Sequence, residues 1–354
     1  MKKSVVILII MVILSASCSG YNVNDDKVTE DIFAMDTYMT LTAYGDNAKE
    51  AVDKSVDEIK KLDSMLSTGI AASDISQLNK NGSAGIHEET ADIIGTAIKL
   101  NADTDGAFNP LIYPVMKCWG FDTGNYRIPS KAELEECRRH MDIDKIVIDD
   151  MAVSKAHGKA ERNVDGQHRH ISFTDTLMQI DLGGIAKGYT ADRIKQIYKD
   201  LGVTSGIVNL GGNVQTIGSR ADGTPWNVAV RKPDGSGEYM GILAVNDAAV
   251  VTSGGYERYF EQDGNTYHHI IDPATGCPAE SGLKSVTIVN NDGMLADALS
   301  TAVYVMGYKK AVRLWEYHKQ PFEMILIKDD DSVYITAGLA DCYTSDEKYT
   351  IIER

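Results

Sequence analysis

The chain has 354 residues, a formal net charge of −16, 43% hydrophobic residues and 24% charged residues. These proportions are typical of a globular protein, and the length suits one elaborate domain or two closely packed lobes. The acidic balance argues against nucleic acid and against binding to anionic lipid through a basic patch. An acidic protein that holds an anionic cofactor must neutralise it locally, which favours a metal ion in such a site.

The N-terminus has the pattern of an export signal. Two lysines and an apolar run over 5–14 precede Ser15-Ala-Ser-Cys18, which resembles a bacterial lipobox. The apolar run is shorter than the ~20 residues that cross a bilayer as a helix. We predict a lipoprotein signal peptide at 1–17, a lipidated Cys18 and a flexible tether at 18–28, with an ordinary secretory signal as the alternative. The expected location is the bacterial cell envelope, lipid-anchored and facing the periplasm or the outside.

The first half of the chain is predicted to begin with one extended segment and to continue with helices. Residues 30–44 alternate in polarity as a strand does. Periodicity and capping residues predict helices at 48–66, 73–78, 87–100 and 130–139, the second capped by Ser73 and the last by Ser130.

Four further cysteines are scattered through the chain: Cys118, Cys137, Cys277 and Cys342. None forms a C-x-x-C pair, which argues against a zinc ribbon or a redox motif. An even number in an exported protein permits disulfides, but the spacing is irregular. We expect core or free thiols, with one bridge left open.

Residues 143–180 are predicted to form several short strands interrupted by a polar insertion at 155–170. The insertion contains His157, His168 and His170. Three nearby histidines can bind a metal, but their charged surroundings favour a solvated loop.

The second half mixes strands and helices without regular βαβ alternation. We predict helices at 185–201, 294–306 and 309–318, and strands near 206–210, 213–217, 226–231, 241–246, 249–252, 257–261, 267–271, 285–289, 322–327 and 332–335. No linker divides the chain. The predicted fold class is therefore α+β, a mixed, largely antiparallel sheet core with packed helices in a single elaborate domain at 29–354.

The segment from Asp181 to Asp192 combines a Gly-Gly turn with the start of a helix. Gly183 and Gly184 lack a Cβ, so the backbone can approach a ligand closely, and the N–H groups of a helix N-terminus attract phosphate. Lys187 lies about one turn into the helix, where it can neutralise a phosphate. An ordinary turn with a surface lysine is the alternative, and the segment is neither a G-x-G-x-x-G fingerprint nor a P-loop.

Asp297 and Thr301 are four residues apart on a predicted helix, so their side chains share one face, with Ser300 beside them. Carboxylate and hydroxyl oxygens suit Mg²⁺, which also takes ligands from substrate phosphates. A polar pair at the edge of the core is the alternative.

His268 and His269 precede the turn Asp272-Pro-Ala-Thr-Gly276. Neighbouring strand residues point to opposite sides, so the two histidines face different surroundings. A histidine beside a bound pyrophosphate can take a proton from an incoming hydroxyl. An exposed histidine on an edge strand is the alternative, and Asp272 is predicted to shape the turn.

Together these motifs resemble those of the ApbE-type flavin transferases, the FAD:protein FMN transferases, whose members also carry a lipoprotein signal. The resemblance covers nearly the whole chain after the signal. Its motifs are Met35-Asp-Thr37, Leu66-Ser-Thr68, Ser73-Asp-Ile-Ser76, Gly106-Ala-Phe-Asn-Pro110, Trp119-Gly-Phe121, Asp181–Asp192, Asn209-Leu-Gly-Gly-Asn213, Thr252-Ser-Gly-Gly255, His269-Ile-Ile-Asp-Pro273 and Ala296–Thr301.

The resemblance implies an ApbE-like fold and a Mg²⁺-dependent enzyme. Such an enzyme moves FMN from FAD to a Ser or Thr hydroxyl of an exported acceptor protein, such as a subunit of a membrane redox pump, and releases AMP. The implied FAD site comprises Met35, Thr68, Gly69, Ala107, Phe108, Asn109, Asp181, Lys187 and Ile270. The implied Mg²⁺ site comprises Asp297, Thr301, Ser300 and the backbone carbonyl of Gly184, and the implied base is His269.

Two positions depart from the family's pattern. Asp36 stands where glycine is common, and Gly69-Ile70 stands where an aromatic residue is common.

Two other functions stay open: a metal-dependent FAD pyrophosphatase with water as the acceptor, and a non-catalytic, lipid-anchored flavin-binding protein. A binding protein would need neither Asp297 with Thr301 nor a base at His269.

Overall fold

The computed structural model describes residues 27–149 and 168–354. The predicted signal peptide, Cys18 and His157 lie outside the described residues, as does the side chain of His168. The first strand begins at Lys27, so the last two residues of the predicted tether belong to this strand.

The described residues form seven α-helices, two of which start at side-chain caps that the sequence predicts. They are α1 (Ala48–Leu66), α2 (Asp74–Asn81), α3 (Glu88–Asp103), α4 (Tyr113–Trp119), α5 (Lys131–Arg139), α6 (Ala186–Asp200) and α7 (Gly293–Tyr317). Ser73 accepts a hydrogen bond from Ser76 N at the start of α2. Ser130 and Glu133 form a reciprocal capping box at the start of α5. The bounds predicted for α1 and α5 are confirmed.

Seventeen strands lie within the described ranges. They are β1 (Lys27–Ala34), β2 (Thr37–Tyr44), β3 (Ser83–His87), β4 (Ile146–Asp149), β5 (His168–Phe173), β6 (Ser205–Leu210), β7 (Asn213–Gly218), β8 (Trp226–Arg231), β9 (Tyr239–Val245), β10 (Ala249–Gly254), β11 (Tyr259–Gln262), β12 (Asn265–His268), β13 (Leu283–Asn290), β14 (Glu323–Lys328), β15 (Val333–Thr336), β16 (Tyr343–Thr344) and β17 (Tyr349–Ile352).

Nine of these strands form one central sheet in the order β1-β2-β6-β7-β10-β13-β14-β15-β17. Its neighbours pair antiparallel except β15 with β17, which run parallel. Smaller sheets have the orders β16-β9-β8, β3-β5-β4 and β11-β12. The predicted α+β class with a largely antiparallel sheet is confirmed.

The two faces of the central sheet are covered by different elements. On β10, Val251 belongs to the core cluster that contains α7, whereas Val250 packs with residues of β8 and β9. Successive strand residues point to opposite faces, so this alternation places helices on one side and a small sheet on the other. Helix α6 packs beside α7 and α1 on the helical side.

Several predicted elements differ from the structure in kind or number. His168 and His170, predicted to lie in a solvated loop at 155–170, belong to strand β5. Residues 30–44 are not one strand but the hairpin β1–β2, which turns at Met35 (φ 48°) and Asp36 (φ 57°). The strand predicted at 267–271 ends at His268, so His269 lies beyond it. The two helices predicted at 294–306 and 309–318 are the halves of α7, which is interrupted at Gly307 (φ 71°).

Helices α6 and α7 touch backbone to backbone at two glycines. A Cβ on Gly188 would lie 2.1 Å from Gly293 O, which leaves no room for a side chain. Asp192 on α6 accepts hydrogen bonds of 2.9 Å from Gly293 N and Met294 N. These bonds satisfy two N–H groups at the start of α7 and fix this end of the helix against α6.

We expect Gly188→Ala to lower the free energy of unfolding by about 3 kcal/mol, because the added methyl group overpacks this contact. Gly95→Ala on α3 is the matched control, since its Cβ would meet no atom within 4 Å. Alanine also favours a helix, so this control should be neutral or stabilising by up to ~1 kcal/mol. Denaturant unfolding of both variants measures the difference, and equal stabilities would contradict the close contact.

Candidate functional site

One cavity of about 500 Å³ brings the separate motifs together. Its lining includes His269 and every residue predicted for FAD or Mg²⁺ except Gly69 and Ser300. Gly69 is exposed on the loop after α1. Ser300 is fully buried, and its hydroxyl donates to Asp297 O and lies 2.7 Å from Ser253 Oγ. The individual roles of all these residues stay predictions.

The segment between Asp181 and Lys187 forms one wall of this cavity. The Asp181 N–H donates to Pro110 O (2.8 Å), and Asp181 Oδ1 accepts from Gly183 N (2.7 Å). Burial raises the pKa of the Asp181 carboxyl, against the Gly183 hydrogen bond and the charge of Lys187. Lys187 Nζ donates to Gly183 O (3.3 Å) and pairs with no carboxylate in the described ranges, so its charge is available to an anion.

Gly184 allows the turn to approach α7 closely. A Cβ at this position would lie 3.2 Å from Phe108 Cε2 and 3.8 Å from Thr301 Oγ1. The first distance is tighter than ordinary van der Waals contact, so a larger side chain would displace the Phe108 ring. The Gly184 backbone and the Thr301 hydroxyl therefore face the same part of the cavity.

Asp297 is a buried carboxylate, 4% exposed, on the first turns of α7. Its Oδ2 accepts from Gly188 N at 2.8 Å. Within 27–149 and 168–354, no Lys, Arg or His side chain lies at ion-pair distance from it. A buried carboxylate without a countercharge is unfavourable, so a bound cation fits this position.

The donor set around Asp297 fits magnesium better than a transition metal. The described residues contain no group of three or more His, Cys, Asp or Glu side chains that would hold a metal. Asp297, Thr301 and the Gly184 carbonyl offer oxygen alone. Mg²⁺ commonly binds through one or two carboxylates and completes its shell with water and substrate phosphates.

His269 is held in one tautomer by the backbone. Its Nδ1 lies 3.0 Å from Arg258 O, and because a carbonyl only accepts, the ring donates from Nδ1 and leaves Nε2 unprotonated. Burial and the charge of Arg258 lower the pKa of His269 to about 4, against the bond to the Arg258 backbone. The ring is therefore neutral at pH 7 and can accept a proton. His268 instead lies edge-on to Tyr304 and does not line this cavity.

The cavity also contains polar residues that sequence reasoning left without a role. Asn213 is 2% exposed, and neither its amide nitrogen nor its amide oxygen has a hydrogen-bond partner in the described part of the chain. Glu257 lies beside the Gly211-Gly212 turn, and burial raises its pKa to about 7, with Lys187 and Arg231 opposing the rise. Asn213 ends the glycine-containing motif at 209–213, and Glu257 lies two residues after the motif at 252–255. These two motifs were the signal in the sequence.

Asp36 lies on the rim of the same cavity. Its φ of 57° is a conformation that glycine adopts readily, which explains why glycine suits this position of the hairpin. Its charge adds to the rise in the pKa of Asp181. Ile70, the other departure, is 40% exposed and does not line the cavity.

Comparison with known proteins identifies similar chains. The sequence profile of the ApbE family matches residues 35–326. The FAD:protein FMN transferase of Treponema pallidum is 34% identical over 258 residues, which are 70% of this chain and 68% of that protein. The FAD:protein FMN transferase of Haemophilus influenzae is 29% identical over 305 residues, which are 84% of this chain and 83% of that protein.

Solved structures show the same fold. The ApbE protein of Thermotoga maritima superposes with a TM-score of 0.77 at 31% identity, covering 87% of this chain and 96% of that one. The flavin transferase ApbE of Vibrio cholerae gives a TM-score of 0.76 at 26% identity, covering 90% of this chain and 99% of that one. The family and the fold class predicted from the sequence are confirmed.

We expect Glu257→Gln to stabilise the ligand-free protein above neutral pH. Because the folded state raises the pKa of Glu257 from 4.5 to about 7, the contribution of this group to stability is fully present below about pH 4.5 and is lost as the pH rises through 7. Glutamine does not ionise. The variant should therefore have a higher free energy of unfolding than the wild type at about pH 8, and this advantage should disappear at about pH 4, where Glu257 is protonated in both the folded and the unfolded state. The control is Glu261→Gln on β11, which removes the same charge from an exposed site. A difference in free energy of unfolding between Glu257→Gln and the wild type that stays constant with pH would contradict the raised pKa of Glu257.

Proposed function

This chain belongs to the ApbE family and is an FAD:protein FMN transferase; we propose that it requires Mg²⁺ and transfers FMN to a Ser or Thr hydroxyl of an exported protein. The observation that carries the proposal is the buried Asp297 carboxylate. It has no countercharge in the described ranges and lines the same cavity as Lys187 and His269. A cation and an anionic dinucleotide together would neutralise these charges.

Three groups would hold the cation: the Asp297 carboxylate, the Thr301 hydroxyl and the Gly184 carbonyl. When bound, Mg²⁺ polarises a pyrophosphate and stabilises the leaving phosphate. Ser300 has a different role in this proposal, because its hydroxyl already bonds to Asp297 O and Ser253 Oγ. It keeps this turn of α7 in place rather than binding the cation.

The remaining walls of the cavity would bind FAD. The lining residues proposed to contact FAD are Met35, Thr68, residues 107–109, Asp181 and Lys187. Lys187 supplies a positive charge for the pyrophosphate. Phosphoryl transfer depends mainly on positioning and charge neutralisation, so no nucleophile from this chain is required.

His269 is suited to take the proton of the acceptor hydroxyl. In the proposed step the acceptor oxygen forms a bond to the FMN phosphorus, the bond between this phosphorus and the bridging pyrophosphate oxygen breaks, and AMP leaves with that oxygen. The proton passes to Nε2 of His269, whose Nδ1 is fixed on Arg258 O. The Nδ1 bond keeps the accepting nitrogen in one orientation.

We expect Asp297→Ala and Thr301→Ala to lower the transfer rate by about 10²–10³-fold, because each removes a cation ligand. The assay incubates an unmodified acceptor protein that contains a Ser or Thr flavinylation motif with FAD and Mg²⁺ and follows the mass gain of FMN. EDTA should abolish the gain in the wild type. The control Asp57→Asn removes an exposed carboxylate from α1. Wild-type rates for Asp297→Ala at limiting Mg²⁺ would contradict the metal site, whereas FMN and AMP released with an unmodified acceptor would indicate the pyrophosphatase.

We expect His269→Ala to slow transfer while leaving FAD bound. The pKa of His269 is lowered to about 4, so wild-type transfer should reach its plateau above this pH and decline below it, where the ring is protonated. The residual transfer rate of the variant should not show this decline at low pH. Flavin fluorescence measures binding separately, and a variant that no longer binds FAD would make His269 a binding residue.

Attachment to the membrane through Cys18 is part of the same proposal. Its support is the signal pattern in residues 1–17. In the described residues, no helix is long and apolar enough to cross a membrane.

We expect Cys18→Ser to move the protein from the membrane fraction of expressing cells to the soluble envelope fraction without changing its transfer activity. Cys342→Ser is the control, and unchanged membrane association of the Cys18 variant would contradict the anchor.

A further inference from the structure

Two of the cysteines that the sequence leaves unassigned meet between two helices. Cys118 on α4 and Cys137 on α5 are 19 residues apart in the chain, and their Sγ atoms lie 2.8 Å apart. A disulfide bond has an S–S length of about 2.0 Å, so the two sulfurs need to approach by less than ~1 Å to bond. Cys277 and Cys342 have no cysteine within sulfur contact distance in the described ranges.

The pair is accessible from a second cavity of about 430 Å³, separate from the proposed active site. Both cysteines line it, together with the cationic side chains of Lys117 and Arg127. An external disulfide can therefore reach the pair without unfolding of the helices. Burial and the neighbouring Cys118 thiol raise the pKa of Cys137 to about 12, so this group is a protonated thiol at neutral pH and reacts slowly by itself.

We propose that Cys118 and Cys137 form a disulfide that joins α4 to α5 in the mature protein. In the reaction an external disulfide, carried by a thiol–disulfide oxidoreductase or by glutathione, is reduced to two thiols. Cys118 and Cys137 each give up the hydrogen of their S–H group, and one S–S bond forms between them. The bond is expected in an oxidising compartment, which agrees with the export signal.

The position of this bond connects it to the site. Trp119, next to Cys118, donates from Nε1 to Gly276 O (2.8 Å), and Arg138, next to Cys137, donates from Nε to Pro273 O (3.3 Å). Helices α4 and α5 thus both donate to the turn at 272–276, which begins three positions after His269. A covalent link between the helices fixes the separation of their two contacts with this turn.

The first test maps the bond in the full-length chain. The protein is incubated with a mixture of oxidised and reduced glutathione, denatured, alkylated without reductant and digested. We expect Cys277 and Cys342 to be alkylated and Cys118 and Cys137 to appear in one linked peptide, with the loss of two hydrogen atoms. Alkylation of both Cys118 and Cys137, or a stable glutathione adduct on either, would overturn the proposal.

The second test measures what the bond does for stability. The oxidised wild type should unfold several degrees above the same protein in reductant, because the bond restricts the unfolded chain. Cys118→Ser and Cys137→Ser should each remove this dependence on reductant, and the double variant should add nothing further. Cys342→Ser should retain it. If reductant still lowered the unfolding temperature of either single variant, the proposal would be overturned. This result does not depend on whether the protein transfers FMN.

Discussion

The hydrogen bond from Gly188 N to Asp297 Oδ2 is the contact on which the site depends. It joins the start of α6, which carries Lys187, to the helix that carries Thr301. The bond is possible only because Gly188 and Gly293 have no side chains, so that two helix backbones can touch. Asp192 strengthens the same junction by accepting two N–H groups of α7, although burial raises its own pKa to about 6. The parts of the cavity proposed to bind phosphate and a cation are therefore joined directly to each other.

Local patterns in the sequence predicted local structure well. Periodicity predicted the full extent of α1, and Ser130 as a cap predicted the start of α5. The turn between β1 and β2 escaped prediction, because Met35 and Asp36 adopt positive φ without the Gly or Asn that usually marks such a turn. Gly307 marked the interruption of α7, and a helix break was predicted there. Strand order and the parallel pairing of β15 with β17 come from tertiary packing, which no local pattern encodes.

The motifs identified which segments build the site, but not all residues that matter in it. Asp181, Lys187, His269 and Asp297 were singled out from the sequence, and the fold brings them to one cavity. Asn213 and Glu257 were not, because their burial beside the other motifs depends on chain segments far away. The raised pKa of Glu257 and the lowered pKa of His269 have one main cause, burial in the same cavity, which disfavours the charged form of each. The contact of Cys118 with Cys137 likewise depends on how α4 and α5 pack.

If the proposed anchor at Cys18 holds the chain to a membrane, the hairpin β1–β2 limits how far the cavity can lie from it. Its turn lines the cavity, and β1 is eight residues long, so Lys27 lies about 25 Å from the site at ~3.3 Å per strand residue. The residues between Cys18 and Lys27 add about 30 Å at most when fully extended. For a chain anchored at Cys18, the working radius is then on the order of 50 Å. With the proposed anchor, acceptors within this radius would be those embedded in, or resting on, the same bilayer, so the length of the tether would limit which proteins the site can reach.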